Sequence, residues 1–150
     1  QPIGSSVFLN RGARDGIGLK NPVVAGNGVL VGTVARVDER TSMVRLLTDD
    51  QSKIAATLLG QDKSLGLIEG GYDISVRMNF IPQNETVRVG DRVVTSGLEG
   101  NMPRGLLIGE VAAVVKEAYQ PFQYAIVSPA VSLTHLTQVS IIIAHPLLPE

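Results

Sequence analysis

A serine, an aspartate and two histidines in this chain have the side chains that acyl-transfer chemistry needs. Ser96 stands in the run TSGLEGNMPRGLLIGEV (Thr95–Val111), Asp91 precedes it by five residues, and the histidines are His135 and His145. A Ser–His–Asp set works when the histidine takes the serine proton and the carboxylate holds the imidazole. The spacing argues against such a set here. The G-x-S-x-G elbow needs a glycine two residues before the serine, and Val94 stands there. The G-D-S-G-G run of barrel proteases is not matched. Both histidines follow Ser96, whereas a chymotrypsin-like order places His first. A barrel-type serine hydrolase on Ser96, His135 and Asp91, or a degenerate relative of one, is the alternative reading.

Phosphate and metal chemistry are weaker still. A phosphate loop of the Walker type needs a lysine beside its last glycine, but Leu106 follows Gly105 and Glu110 follows Gly109. A dinucleotide loop opens a helix, and this run opens an apolar strand-like segment. Asp49 and Asp50 sit in a turn, where aspartate ordinarily accepts backbone N–H bonds. His135 and His145 form no ligand pattern. No cofactor and no metal site is expected. The net charge is −1 with no basic stripe, which argues against nucleic acid. There is no cysteine, so disulfides and thiolate zinc sites are excluded. No run reaches the roughly 18 apolar residues of a membrane helix.

The elements that must position these residues read as strands. Segments are short, β-branched and punctuated by Gly, Pro, Asn or Asp. In ISVRMNF, Ile74, Val76, Met78 and Phe80 alternate with Ser75, Arg77 and Asn79, so one face is apolar and the other polar. LGLIEGGYDISV predicts a hairpin turning at Gly70–Gly71. About eleven strands follow from this pattern, with one short helical turn near VSLTHL. The fold class is all-β with little or no helix.

The chain also repeats. Gly18–Val37 and Gly90–Val114 both carry an apolar pair, a glycine, an aliphatic triplet between glycines (GVLVG and GLLIG) and a V-x-x-V close. Six residues are added between the loop glycines of the second copy. An internal repeat of this period implies two related halves. Two small tandem β-barrels of about six strands each are expected, in a chymotrypsin-barrel-like arrangement. The division is 1–71 and 72–150, with more than one crossing allowed. Gly26, Gly28, Gly97 and Gly105 are expected in turns, and Gly32 and Gly109 at bends or close backbone approaches.

AYQPFQY gathers Tyr119, Phe122 and Tyr124 around Pro121. These rings either cap a barrel end or form an exposed patch for a protein partner, where aromatic side chains give large burial at low entropic cost. The added LEGNMPR, with Met102, is the part a turn does not need, and it is expected to pack on the neighbouring barrel or a partner.

Four stretches together carry a family resemblance: NPVVAGNGVLVGTVARVDERTSMVRLLTDDQSKIAATL, LGLIEG, VRVGDRVVTSGLEGNMPRGLLIGEV and VSPAVSLTHLTQVSIII. The chain resembles the MreC family of rod shape-determining proteins from about Val7 to Ile143, most strongly over Gly90–Val111. Met102 stands where an aromatic is commoner in that family. The resemblance implies a non-catalytic scaffold on the periplasmic side of the inner membrane, of which this chain is the barrel part. It implies a membrane anchor and a coiled coil outside this sequence. It also implies binding to a class B penicillin-binding transpeptidase, action with MreD, RodA and the MreB system, and self-association.

Overall fold

The computed structural model describes residues 6–143, and at 62–64 the strand path without side chains. Eleven strands run in order: β1 Ser6–Leu9, β2 Pro22–Ala25, β3 Val29–Val37, β4 Ser42–Leu46, β5 Lys53–Leu58, β6 Gln61–Tyr72, β7 Ser75–Pro82, β8 Arg92–Thr95, β9 Leu107–Val115, β10 Phe122–Pro129 and β11 Ser140–Ile141. The helical content among the described residues is one 3₁₀ turn at Ala13–Asp15. The VSLTHL segment is a turn, not a helix. No helix among these residues is long and apolar enough to cross a membrane.

Strand pairing closes one barrel. β5, β6, β7, β10, β9 and β8 pair in that cyclic order, all antiparallel, and β8 returns to β5. The first unit is different. It is a five-stranded sheet in the order β1, β4, β3, β2, β11, and nothing among the described residues pairs with the outer edge of β1. The expectation of six strands in each unit is corrected to six and five. The boundary is corrected as well. Residues 53–72 belong with the second unit, and β11 returns to the first, so the chain crosses twice.

The repeat is legible in the hydrogen bonds. Val34 N–H donates to Asn21 O at 3.0 Å, and Val111 N–H to Asp91 O at 2.8 Å. Gly18 N–H is capped by Asn21 Oδ1 at 2.8 Å, and Arg88 N–H by Asp91 Oδ2 at 2.9 Å. Leu47 N–H donates to Val31 O and Ala130 N–H to Ile108 O, both at 3.0 Å. The match extends to strands whose sequences do not advertise it. Val7 of β1 faces Val44, and Val76 of β7 faces Val127, so β1 and β7 are counterparts. β5 and β11 are counterparts too: β5 pairs with β8 and β11 with β2, the first strand of the hairpin in each copy. What the first unit lacks is a counterpart of β6. Instead the connector from β10 to β11 lays Val131, Leu133, Leu136 and Val139 against its core.

Two apolar clusters fill the units. One contains Leu58, Ile68, Met78, Ile81, Ile108 and Val127, the other Val23, Val31, Val34, Val44 and Leu46. No aromatic residue is in either. A six-stranded ring has a narrow interior, and Val, Ile, Leu and Met fill it.

Gly32 and Gly109 occupy the same place in the two copies. Gly32 faces Val23 and Leu46; Gly109 faces Val93 and Pro129. A Cβ at Gly32 would meet Arg45 O at 2.2 Å, and one at Gly109 would meet Ser128 O at 2.0 Å. Neither distance admits a methyl group, so both sites require glycine for close strand approach. The sequence expectation of a turn at Gly70–Gly71 is corrected. Gly70 lies within β6, where a Cβ would meet Asp49 O at 2.1 Å, and the hairpin turns after Tyr72, which pairs with Ser75. Gly109→Ala is expected to lower unfolding free energy by roughly 2–4 kcal/mol. Gly100→Ala, where a Cβ meets nothing within 4 Å, should stay within about 0.5 kcal/mol. Urea titration of both variants checks the contrast.

Candidate protein-binding surface

The hydrolase residues are not assembled. Ser96 is buried just after β8, and its hydroxyl accepts from Leu98 N–H at 3.3 Å. His135 is exposed, with Nδ1 3.0 Å from both Ser132 Oγ and Thr134 Oγ1. Asp91 caps Arg88, as its twin Asn21 caps Gly18. Each residue is occupied by its own turn, so no nucleophile–base pair exists between them. His145 lies outside the described residues. Asp49 caps Gln51 N–H at 2.8 Å and pairs with Arg45 at 3.3 Å, a turn and surface role. No cluster of metal-ligating side chains occurs among the described residues.

The turn glycines Gly26, Gly28, Gly97 and Gly105 have φ of +55°, +105°, +79° and +91°. They lie in the β2–β3 and β8–β9 connections. The added LEGNMPR segment is tied to the barrel, among other contacts by Pro103 O, which accepts from Thr95 Oγ1 at 2.6 Å. Glu99 Oε1 accepts from Ala55 N–H at 3.0 Å, and Met102, only 6% exposed, enters the barrel core. Met102 is therefore removed from the partner-binding candidates: its unbranched side chain fills interior space. Glu99 and Met102 also line a cleft of about 620 Å³ with Lys20 and Arg45 of the first unit.

The aromatic residues lie outside. Tyr119 is fully exposed, Phe122 is 47% exposed, Phe80 is 54% exposed, and Tyr72 and Tyr124 are partly exposed. Tyr72, Phe80, Phe122 and Tyr124 lie on the outer face of β6, β7 and β10, and Tyr119 stands in the β9–β10 connection. Phe80 and Phe122 meet edge to face, with ring centroids 5.8 Å apart. Arg77 lies over the Tyr72 and Tyr124 rings.

A bulge puts Phe80 there. On β10, Ala125 faces Met78 and Gln123 faces Ile81, so Asn79 and Phe80 share the single residue between them, Tyr124. One extra residue reverses the alternation. Strict alternation predicted Phe80 inside; instead Ile81 is fully buried and Phe80 faces out. Phe80 has φ +64°, a left-handed conformation that a bulky residue rarely adopts. Such a residue costs about 1–3 kcal/mol, and the edge-to-face pair returns roughly 0.5–1.5 kcal/mol. Tyr119 is also left-handed, at φ +68°. Ile74, assigned to the same apolar face by alternation, is exposed in the β6–β7 turn.

Two glutamines brace the loops that carry these rings. Gln123, 2% exposed, donates from Nε2 to Pro82 O at 2.9 Å and to Glu85 O at 2.7 Å. Gln83 donates from Nε2 to Glu117 O at 2.9 Å and from its backbone N–H to Pro121 O at 3.1 Å. Sequence reasoning found Tyr119, Phe122 and Tyr124 from their clustering around proline. It missed Phe80, because period-two patterning carries no signal for a bulge, and it missed the glutamine braces.

The family model described as rod shape-determining protein MreC, barrel core, matches residues 1–143. The cell shape-determining protein MreC of Cereibacter sphaeroides is 43% identical over 111 residues, covering 74% of this chain and 36% of that protein. The chain thus spans little more than a third of that relative's length. A solved MreC structure superimposes with a TM-score of 0.86 at 23% identity, over 95% of this chain and 80% of that one. A structure of a complex between penicillin-binding protein PBP2 and MreC from Helicobacter pylori matches with a TM-score of 0.69 at 23% identity, over 92% of this chain and 86% of that one.

Gln123→Ala should destabilise the protein by roughly 1–3 kcal/mol, because the half-buried carbonyls of Pro82 and Glu85 each lose a donor, Pro82 O keeping the Glu85 N–H; thermal and urea unfolding measure it. A fluorophosphonate probe should leave Ser96 unmodified by intact-mass analysis, and stoichiometric labelling would restore the hydrolase reading.

Proposed function

The chain belongs to the MreC family of rod shape-determining proteins, and from that premise we propose that it is the protein-binding β region of a cell-wall elongation scaffold. In this reading it works on the periplasmic side of the inner membrane. It binds and regulates a class B penicillin-binding transpeptidase, acts with MreD, RodA and the MreB system, and self-associates. The family is one of shape-determining proteins, not enzymes.

The observation that carries the reading is the placement of Tyr72, Phe80, Phe122 and Tyr124 outside both cores, over one face of the barrel, with the exposed Tyr119 in the connection that leads into β10. Contiguous exposed apolar surface marks an interaction site, and aromatic anchors dominate binding energy at such sites. Left-handed backbone is held at Phe80 on this face and at Tyr119 in the connection that leads into β10, and such strain clusters at functional sites. The Helicobacter pylori complex supports a penicillin-binding protein as the occupant. The outer edge of β1, unpaired among the described residues and beside the 73% exposed Phe8, supports self-association through the first unit. A scaffold of this kind regulates by binding one conformation of its partner more tightly than another, and by no more than that difference.

Biolayer interferometry with the membrane-proximal part of the transpeptidase tests the proposal. Binding at micromolar Kd or tighter is expected. Tyr119→Ala and Phe122→Ala should together weaken it at least about tenfold, near 1.4 kcal/mol, with unchanged melting temperature. No binding at about 100 μM, equivalent to roughly −5.5 kcal/mol, overturns the reading for this chain. Unchanged affinity in the double variant moves the surface elsewhere.

A further inference from the structure

Arg77 stands on the outer face of β7 between two rings. Its guanidinium carbon is 4.1 Å from the Tyr72 ring centroid and 4.6 Å from that of Tyr124. An arginine on a strand face ordinarily pairs with an acid on the neighbouring strand, and Glu69 of β6 is its direct cross-strand partner. Glu69 is drawn away. Its Oε1 accepts from Asn79 Nδ2 at 2.7 Å, and its Oε2 lies 4.0 Å from Lys53 Nζ. The ion pairs among the described residues engage Arg36, Arg45 and Lys53, and none engages Arg77.

The chemistry of this arrangement is specific. Cation–π contact uses the face of a guanidinium. The N–H donors lie in its plane, in a fork that matches a carboxylate. Two rings hold the cation in place, and the nearest acid is committed to other donors. We infer that Arg77, Tyr72 and Tyr124 form a recognition site for one carboxylate, the side chain of a glutamate or aspartate in an otherwise apolar segment of a partner protein. The flanks of the site are apolar: Ile74 is 77% exposed two residues after Tyr72, and Phe80 and Phe122 continue the face. A polyanion does not fit, because the site is a single cation on a protein of net charge −1. The inference rests on the reading of this face as a partner surface.

Two measurements test it separately. The first is an NMR titration of the labelled protein with a capped pentapeptide carrying one glutamate between leucines, against the same peptide with glutamine. Shifts should appear at Arg77 Nε–H and at the Tyr72 and Tyr124 rings. The glutamate peptide should bind at least about fivefold tighter, since a charge-assisted bond replaces a neutral one, and the preference should shrink in about 0.5 M salt. Arg77→Gln should abolish the preference. Arg77→Lys, which keeps the charge and the strand face, should keep only a minor part of it. Equal binding of the two peptides, no Arg77 shift up to about 10 mM peptide (roughly −3 kcal/mol), or a preference untouched by Arg77→Gln overturns the inference. The second measurement is transpeptidase affinity, which Arg77→Gln should weaken about tenfold while flattening its salt dependence. Wild-type binding that Arg77→Gln leaves unchanged overturns the inference and spares the partner reading. Absence of wild-type binding defeats the partner reading, and the peptide arm still decides Arg77.

Discussion

The pairing of Thr57 with Val94 and of Ser140 with Val24 joins each unit to a strand from the far side of a crossing. Strand β5 follows the first unit's β4 and closes the second unit's ring; β11 follows β10 and extends the first unit's sheet. Ring closure removes the free edges that would otherwise invite aggregation. Between the units, beside the two crossings of the chain, Val29 of β3 pairs in parallel with Leu107 of β9. Close approach at Gly32 and Gly109 belongs to the same constraint, since each glycine sits at the centre of a three-strand contact in its own copy.

Closure also decides where the aromatic residues go. The ring interior is filled by aliphatic side chains with Met78 and Met102, and no aromatic residue is among them. At Phe80 the chain has an interior aliphatic one residue later, Ile81, and a bulge admits it in place of the ring. The strain of the left-handed Phe80 is borne locally and partly offset by its contact with Phe122. The aromatic face is therefore a consequence of small-barrel packing as well as a resource for binding. Gln83 and Gln123 then fix the loops beneath it, so its rings are held on a rigid frame rather than on free loops. Preorganised anchors of this kind lose less entropy on binding.

The asymmetry between the copies matters as much as their likeness. The second copy has β6 and a six-residue addition between its loop glycines. β6 completes the ring and supplies Tyr72 and Glu69 to the outer face. The addition supplies Glu99 to an otherwise unpaired strand N–H and Met102 to the core. The first copy has neither, and its open side is covered by apolar residues of the β10–β11 connector.

The amino-acid sequence by itself determined the strand character, the departures from the known hydrolase motifs, the repeat and the glycine positions. Each of these is a local property: β-branching, turn chemistry, motif spacing, or residues recurring at matched places. It also marked Tyr119, Phe122 and Tyr124, because three rings around one proline form a local cluster. The strand exchange, the six-and-five division, the inward course of Met102 and the outward course of Phe80 were decided only by the tertiary structure. Partner choice between strands is made across dozens of residues, and alternation holds only while register does. One inserted residue in β7, selected by what the ring could hold, reversed the facing of Phe80 and Ile81 and brought Phe80 against Phe122.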